Sequence, residues 1–245
     1  MMEERINFYS DGFKLEGVLS YCEEELMIDN SQDNPQSTIP NLKSALLCSP
    51  HPGLGGDMDN NIILSLAESL AKIGFITLRF NYRGVGDSES KFADFAQKFE
   101  YWENSMETDD YDDFVMDVKY ALSFLKNETK ADENHIFYMI GYSFGAIQAL
   151  KVGIPDKDVK GIVCISTPFD KYDMRYAEMS NKPKYFISSD NDFAASTDDI
   201  EKGFEKFSGP KSLKMITDCD HFYRGKEELI AEKVINYLVN QSNDE

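Results

Sequence analysis

The stretch "IGYSFGAIQAL", residues 140–150, decides how the chain is interpreted. It places Ser143 between Gly141 and Gly145, after an apolar run typical of a buried strand and before a pattern typical of a helix. A G-x-S-x-G sequence is common, and the alternative is a glycine-bracketed serine on an ordinary turn. The strand before it and the helix after it favour a sharp turn that exposes a nucleophilic hydroxyl.

Strands and helices alternate on both sides of this stretch. Apolar runs at 44–49, 75–82, 135–142, 159–166, 183–189 and 211–217 predict strands, and amphipathic patterns between them predict helices. This alternation is typical of an α/β fold with a mostly parallel central sheet and helices on both faces.

The N-terminal residues predict an antiparallel hairpin at the edge of that sheet. "RINFYS" and "KLEGVLSY" flank "DGF", residues 11–13, and Asp-Gly is a strong turn signal. The polar residues 23–41 predict a long surface loop. Because the chain has no internal repeat and no linker that would divide it, we expect a single domain over residues 1–245.

Composition and charge restrict the expected partners. The 245 residues include 44 acidic and 25 basic side chains, a net charge of -19, which repels phosphate backbones and anionic lipids. We therefore expect neither nucleic acid nor a membrane as a partner. The N-terminus lacks the apolar segment of a signal peptide, and the four cysteines form no C-x-x-C pair. These features predict a reduced, cytoplasmic protein.

A nucleophilic serine needs a base, and the chain offers three histidines. His135 opens a strand and is expected at the amino edge of the sheet, whereas sites in such sheets lie at the carboxyl edge. His51 is at the correct edge but stands between two prolines, so we interpret it as shaping a loop. His221 follows the last predicted strand and precedes the last helix, which makes it the candidate base.

An acid that orients the base is expected between the serine and the histidine. Asp190 and Asp192 both follow the strand at 183–189, and the residues alone leave both open. Such pairs are common in so acidic a chain. The order of serine, acid and histidine along the chain, each after a strand, is nonetheless the order found in one large class of hydrolases.

The developing negative charge on a substrate needs backbone N–H donors. The first is expected from Phe144, which follows the serine at a predicted helix N-terminus. The second is expected from the loop "SPHPGLGGDMDN", residues 49–60, where Pro52 has no N–H. We expect Gly53 to supply it, with Leu54 as the reserve.

The two loops "HPGLGGDMDN" (51–60) and "LRFNYRGVGDSES" (78–90) resemble a known family. They are similar to the HPHPLYGGTMDN-like and RFNFRGVGxS-like motifs of small α/β-hydrolases related to dienelactone-hydrolase-like and acyl-peptidase-like esterases. "GYSFGA" and "DCDHFYRG" also match, so the resemblance extends over most of the chain. It implies an α/β-hydrolase fold with a minimal cap.

The resemblance implies a serine esterase with Ser143 as nucleophile, His221 as base and Asp192 as acid. Asp192 is preferred over Asp190 because the family pattern after the strand is G-x-x-D, here Ser189 to Asp192. No cofactor or metal is expected, and the partner is a small acyl substrate. A thioesterase or amidase with the same triad, and a non-catalytic binding protein, are the alternatives.

Two segments are candidates for covering the site. Residues 91–110 mix aromatic and acidic side chains, and residues 167–182 leave room for only a turn or two of helix. Arg79 and Arg83, in the second motif, are interpreted as structural partners of carboxylates, with Asp87 and Glu89 nearby.

Overall fold

A computed structural model of the chain describes residues 1–23, 43–129 and 135–241. The surface loop predicted at 23–41 lies outside these ranges apart from Glu23. The described strands form one sheet in the spatial order β1-β2-β4-β3-β5-β6-β7-β8. They are β1 (Met2–Ser10), β2 (Phe13–Tyr21), β3 (Lys43–Cys48), β4 (Phe75–Phe80), β5 (Ile136–Tyr142), β6 (Val159–Ile165), β7 (Lys184–Asn191) and β8 (Lys211–Asp220).

Helices connect the strands from β3 onward. The α-helices in the described ranges are α1 (Asn61–Ala71), α2 (Phe95–Thr108), α3 (Asp112–Glu128), α4 (Phe144–Gly153), α5 (Arg175–Glu178), α6 (Thr197–Lys206) and α7 (Glu227–Gln241). A short 3₁₀ helix, Pro52–Leu54, follows β3.

The pairing confirms the predicted mostly parallel sheet with an antiparallel hairpin. β1 pairs with β2 antiparallel around a turn in which Asp11 and Gly12 both have positive φ, as such a tight hairpin requires. β2 pairs with β4 antiparallel, and β4, β3, β5, β6, β7 and β8 pair in parallel. The carboxyl ends of these six strands therefore share one edge, where ligands bind in such sheets.

Hydrophobic side chains cover both faces of the central strands, so β5 and most of β3 and β6 are buried on both sides. In β3, Leu46 and Cys48 belong to one buried cluster, while Ala45 and Leu47 belong to the other. The first cluster packs against α3, α4 and α6, and the second against α1 and α7. Helices on both faces complete the predicted architecture.

The two candidate covering segments differ in the structure. Residues 91–110 contain α2, which begins after Asp94, whose side chain accepts a hydrogen bond from the N–H of Gln97. In α2, Trp102 and Ser105 are the buried residues. The segment 167–182 contains the single-turn helix α5. The segment after β4 is therefore the more substantial of the two.

Both motif arginines are paired with carboxylates, although with other partners than Asp87 and Glu89. Arg79 contacts Glu3 at 2.9 Å and Asp59 at 3.5 Å. Arg83 binds Asp117, which is fully buried on α3, with Nη2–Oδ1 at 2.7 Å. These ion pairs connect distant parts of the chain, which local sequence proximity does not reveal.

Asp117 has several donors at once. It accepts hydrogen bonds from the Arg83 backbone N–H at 2.9 Å, from the Arg83 guanidinium, and from the Ser10 hydroxyl at 2.7 Å. The carboxylate therefore connects β1, the loop after β4 and α3. A buried charge with this many partners is expensive to remove, because each partner then loses its acceptor.

We predict that Asp117→Ala lowers the free energy of unfolding by roughly 3–5 kcal/mol, because it leaves the buried Arg83 charge without its main acceptor. Urea denaturation measures the change. Asp113→Ala is the matched control, since it removes a more exposed partner of the same arginine, 2.8 Å away. We expect the control to cost at most about 1 kcal/mol. Equal losses in the two variants would contradict the prediction.

Candidate active site

Ser143 lies on a strained turn between β5 and α4. Its φ of 56° and ψ of -120° are unfavourable for a residue with a side chain. The backbone around it holds this conformation, since the Ser143 N–H donates to the Ile165 carbonyl at 2.8 Å. The turn therefore places the serine at the carboxyl edge of the sheet.

Backbone crowding explains the two glycines on either side of Ser143. A Cβ atom on Gly141 would overlap the carbonyl group of Gly145. A Cβ atom on Gly145 would in turn overlap the carbonyl group of Cys48, at the end of β3. Only glycine allows α4 to begin so close to both strands. The motif is thus a sharp strand-to-helix turn rather than an ordinary one.

The structure brings Ser143, His221 and Asp192 together, as the sequence analysis expects. His221 Nε2 lies 3.1 Å from Ser143 Oγ, and His221 Nδ1 lies 2.7 Å from Asp192 Oδ1. Ser143 is 9% exposed and His221 is 6% exposed. The three residues follow β5, β8 and β7, so the parallel sheet delivers them to one edge. This arrangement can move a proton from the hydroxyl to the imidazole.

Asp192 is held as an ionised acceptor. Burial raises the pKa of its carboxyl, but the hydrogen bond and charge of His221 outweigh this effect. Further hydrogen bonds come from the Ala194 N–H, at 2.8 Å, and from Ser166. The net result is a pKa below the ordinary value. The carboxylate can therefore stabilise a positive charge on the imidazole.

Asp190 has a different partner. Its carboxylate accepts hydrogen bonds from the backbone N–H groups of Asp218, at 3.1 Å, and Cys219, at 3.5 Å. It therefore connects the end of β7 to β8 and does not contact the imidazole. Of the two carboxylates that the residues alone left open, the structure places Asp192 beside His221.

Tyr142 supports the histidine in a way that the sequence analysis missed. Its hydroxyl donates to the backbone carbonyl of His221 at 2.6 Å, and the two rings stack with centroids 5.5 Å apart. Tyr142 is 1% exposed. The only signal in the sequence was that Tyr142 directly precedes the serine, at a position of the G-x-S-x-G motif where any residue is allowed. Such a position does not reveal a contact with a residue 79 positions further along the chain.

The two expected oxyanion donors differ in whether the backbone N–H already has an acceptor. Phe144 is the first residue of α4, so its N–H has no acceptor inside the helix and lies at the positive end of the helix dipole. The Gly53 N–H instead donates to His51 Nδ1 at 3.0 Å. The reserve, Leu54, donates to the His51 carbonyl, also at 3.0 Å. Both loop amides thus have acceptors within their own loop.

His51 connects this loop to α2. Its Nδ1 accepts from Gly53, so its Nε2 carries the proton and donates to Ser105 Oγ at 3.1 Å. The Ser105 hydroxyl in turn donates a hydrogen bond to the Trp102 carbonyl at 2.7 Å. His51 therefore shapes the loop as expected, and it does so through α2. His135, in contrast, contacts Ser44 at the opposite edge of the sheet, at 2.8 Å.

We predict that His51 makes the fold sensitive to mild acid. Burial lowers the pKa of His51 to about 4, against about 6.5 in an unfolded chain. The contribution of neutral His51 to the free energy of unfolding is complete above pH 6.5 and falls as the pH drops toward 4. Between these two pH values the unfolded chain binds the proton and the folded protein does not. Between pH 7.5 and 5 this amounts to about 2 kcal/mol.

Urea denaturation at the two pH values measures this effect in the native protein and in His51→Gln, which cannot titrate. We expect the native protein to lose about 2 kcal/mol more than the variant between pH 7.5 and 5. The comparison cancels the contributions of all groups that the two proteins share. An equal loss in both proteins would contradict the prediction, because it would mean that His51 has the same pKa in the folded protein as in the unfolded chain.

Residues 1–23, 43–129 and 135–241 contain neither a metal-binding cluster nor a membrane-spanning helix. No group of three or more His, Cys, Asp or Glu side chains there is placed to hold a metal ion. No helix in these ranges has the length and apolar character needed to cross a bilayer.

Comparison with known proteins identifies the family of the chain. The sequence profile described as serine aminopeptidase, S33 matches residues 55–199, more than half of the chain. An uncharacterized protein of Rickettsia prowazekii, RP471, is 31% identical over 218 residues, which cover 85% of this chain and 84% of the relative.

Solved structures share the fold over nearly the whole chain. Protein ATU1826 of Agrobacterium tumefaciens, of unknown function, has a TM-score of 0.76 at 22% identity, covering 99% of this chain and 98% of that one. The esterase Pf2001 of Pyrococcus furiosus has a TM-score of 0.68 at 17% identity, covering 98% and 92%. With the profile match, these similarities show that the chain belongs to the serine aminopeptidase S33 family of α/β-hydrolases.

Proposed function

We propose that this hydrolase cleaves acyl esters through a Ser143–His221–Asp192 triad. The observation that carries the proposal is the continuous hydrogen-bonded line from Ser143 Oγ through the imidazole to Asp192, at 3.1 Å and 2.7 Å. The strained turn under the serine supports it, because the backbone conformation of Ser143 is costly without a function to select it.

The proposed reaction has two halves. In the first, His221 Nε2 takes the hydroxyl proton of Ser143 while Oγ attacks the ester carbonyl. Asp192 stabilises the imidazolium that forms. His221 then gives the proton to the leaving alcohol oxygen, the carbon–oxygen bond breaks, and an acyl-serine remains. In the second half, water attacks the acyl-serine with His221 as base, and the acid is released.

The oxyanion of each tetrahedral intermediate would be held by backbone N–H groups. Phe144 supplies the first, at the start of α4. Gly53 supplies the second in this proposal, and its N–H must then be shared with, or released from, His51 Nδ1. Each donor of this kind contributes roughly 2.7–4 kcal/mol to the stability of the transition state.

Amide cleavage is the second candidate, because the matching profile is described as a serine aminopeptidase. Thioester cleavage needs the same triad. The three reactions differ in the leaving group that His221 must protonate. Parallel assays on an ester, a thioester and an amide of one acyl group rank them, and we expect the ester to have the highest kcat/KM. A faster amide would replace the ester proposal.

We predict that a fluorophosphonate probe labels the native protein at Ser143 and that Ser143→Ala abolishes the labelling. The probe reacts only with a serine whose hydroxyl is activated by a neighbouring base. In-gel fluorescence measures the labelling, and circular dichroism confirms that the variant is folded. Absence of labelling in a well-folded native protein would favour the non-catalytic binding protein.

We also predict that the two neighbouring carboxylates differ in their effect on activity. Asp192→Asn should lower kcat for an ester by about 10⁴-fold, because the amide favours the wrong imidazole tautomer. Asp190→Asn is the matched control and should leave kcat within about threefold, since Asp190 contacts only the β8 backbone. Steady-state kinetics on both variants decide. A larger loss in Asp190→Asn would reverse the assignment of the acid.

A further inference from the structure

A pocket of about 390 Å³ lies beside the 3₁₀ helix Pro52–Leu54. It is lined by the loop after β3, the loop after β4 and one side of α2, and it is open to solvent. Gly53, the proposed second oxyanion donor, is part of its wall. A volume of this size is in the range of small-molecule sites. If Gly53 holds the oxyanion as proposed, the pocket adjoins the place where an ester carbonyl would sit.

One face of α2 supplies the aromatic wall. Phe95, Phe99 and Trp102 line the pocket together with Lys98, a spacing of three and four residues that places them on one side of a helix. Trp102 reaches the core, whereas Phe95 is 70% exposed. The exposed ring of Phe95 continues the aromatic surface of Phe99 and Trp102 at the pocket and leaves apolar area there for a ligand to cover. This face accounts for three of the aromatic residues between residues 91 and 110.

Glycines form the opposite wall. Gly53, Gly84 and Gly86 line the pocket, and the last two have φ values of 82° and 55°. Glycine has only backbone atoms, so this wall is backbone and a flat group can lie against it. A Cβ on Gly86 would overlap Glu16 and one on Gly53 would crowd Met106, so packing behind the wall also requires these two glycines. Aromatic rings on one side and bare backbone on the other suit a planar ring more closely than a flexible alkyl chain.

The sheet order decides which part of the substrate reaches this pocket. Its loops follow β3 and β4, on one side of β5, whereas Asp192 and His221 follow β7 and β8 on the other side. His221 must protonate the leaving oxygen, so the alcohol portion belongs on its side. The acyl portion then extends past Gly53 toward α2.

We propose that the pocket is an acyl-binding subsite for an uncharged aromatic acyl group, an inference that rests on the proposed function. Lys98 is half-buried and forms no ion pair with a carboxylate in the described part of the chain. Asp57 lines the same pocket, so the wall charges balance. The chain carries a net charge of -19, which disfavours an anionic acyl group. The Lys98 ammonium can instead contact the face of a neutral ring.

Esters with small leaving groups test the proposal. Methyl 3-phenylpropanoate and methyl nonanoate have acyl groups of equal carbon number, one with a ring and one without. Phenyl acetate places the ring on the alcohol side. We expect kcat/KM for methyl 3-phenylpropanoate to exceed that for methyl nonanoate by about tenfold. Proton release measures the rates with the full-length protein.

Two exposed phenylalanines provide matched variants. Phe95→Ala should lower kcat/KM for methyl 3-phenylpropanoate by about tenfold and leave phenyl acetate within about twofold. Phe193 is 65% exposed, and its ring lies 4.7 Å from that of His221, outside the pocket. Phe193→Ala should therefore leave the ratio of methyl 3-phenylpropanoate to methyl nonanoate unchanged. Because both side chains are exposed, both variants should fold.

The outcomes separate this proposal from the one on which it rests. A loss in Phe95→Ala that is confined to phenyl acetate would place the alcohol in the pocket and overturn the acyl subsite. If the protein hydrolyses methyl 3-phenylpropanoate and methyl nonanoate with equal kcat/KM, the aromatic acyl subsite is overturned and ester cleavage is not. Hydrolysis of none of them by the native protein would overturn ester cleavage and the subsite together.

Discussion

The close approach of backbone at the Ser143 turn is the constraint on which the site depends. Gly145 lies against the carbonyl of Cys48, and Ser143 donates its N–H to Ile165. The turn is thus clamped between β3 and β6 as well as ending β5. A strained conformation persists only where its surroundings determine it this completely. Three parallel strands in register are therefore required before the serine can point out of the sheet.

The same parallel sheet supplies the partners of the serine. Because β5, β7 and β8 end at one edge, residues separated by up to 78 positions in the chain come within hydrogen-bonding distance. Tyr142 then holds the backbone of His221, and Ala194 and Ser166 hold the carboxylate of Asp192. Each reacting group is fixed by neighbours on rigid elements, which favours a geometry ready for proton transfer.

Helix α2 has a part in both the loop beside the serine and the proposed acyl subsite. Through Ser105 it binds His51, and His51 in turn engages the amide of Gly53. Through Phe95 and Phe99 it lines the neighbouring pocket. A ligand that packs against this helix is thus connected by two hydrogen bonds to the loop that carries the proposed oxyanion donor. In this proposal the segment after β4 combines a structural role with contact to the substrate.

The sequence by itself determined the sheet with its hairpin, the strained turn at Ser143 and the placement of His221 at the carboxyl edge. These features depend on local periodicity, glycine positions and chain order, which are visible in one dimension. The residues alone left Asp190 and Asp192 both open and the family resemblance favoured Asp192, whereas the tertiary structure shows the contact of Asp192 with His221. Only the tertiary structure paired Arg83 with Asp117 and showed that Gly53 already donates to His51. Such contacts depend on side-chain direction and on strand neighbours far apart in the chain, and these are decided only when the sheet is assembled.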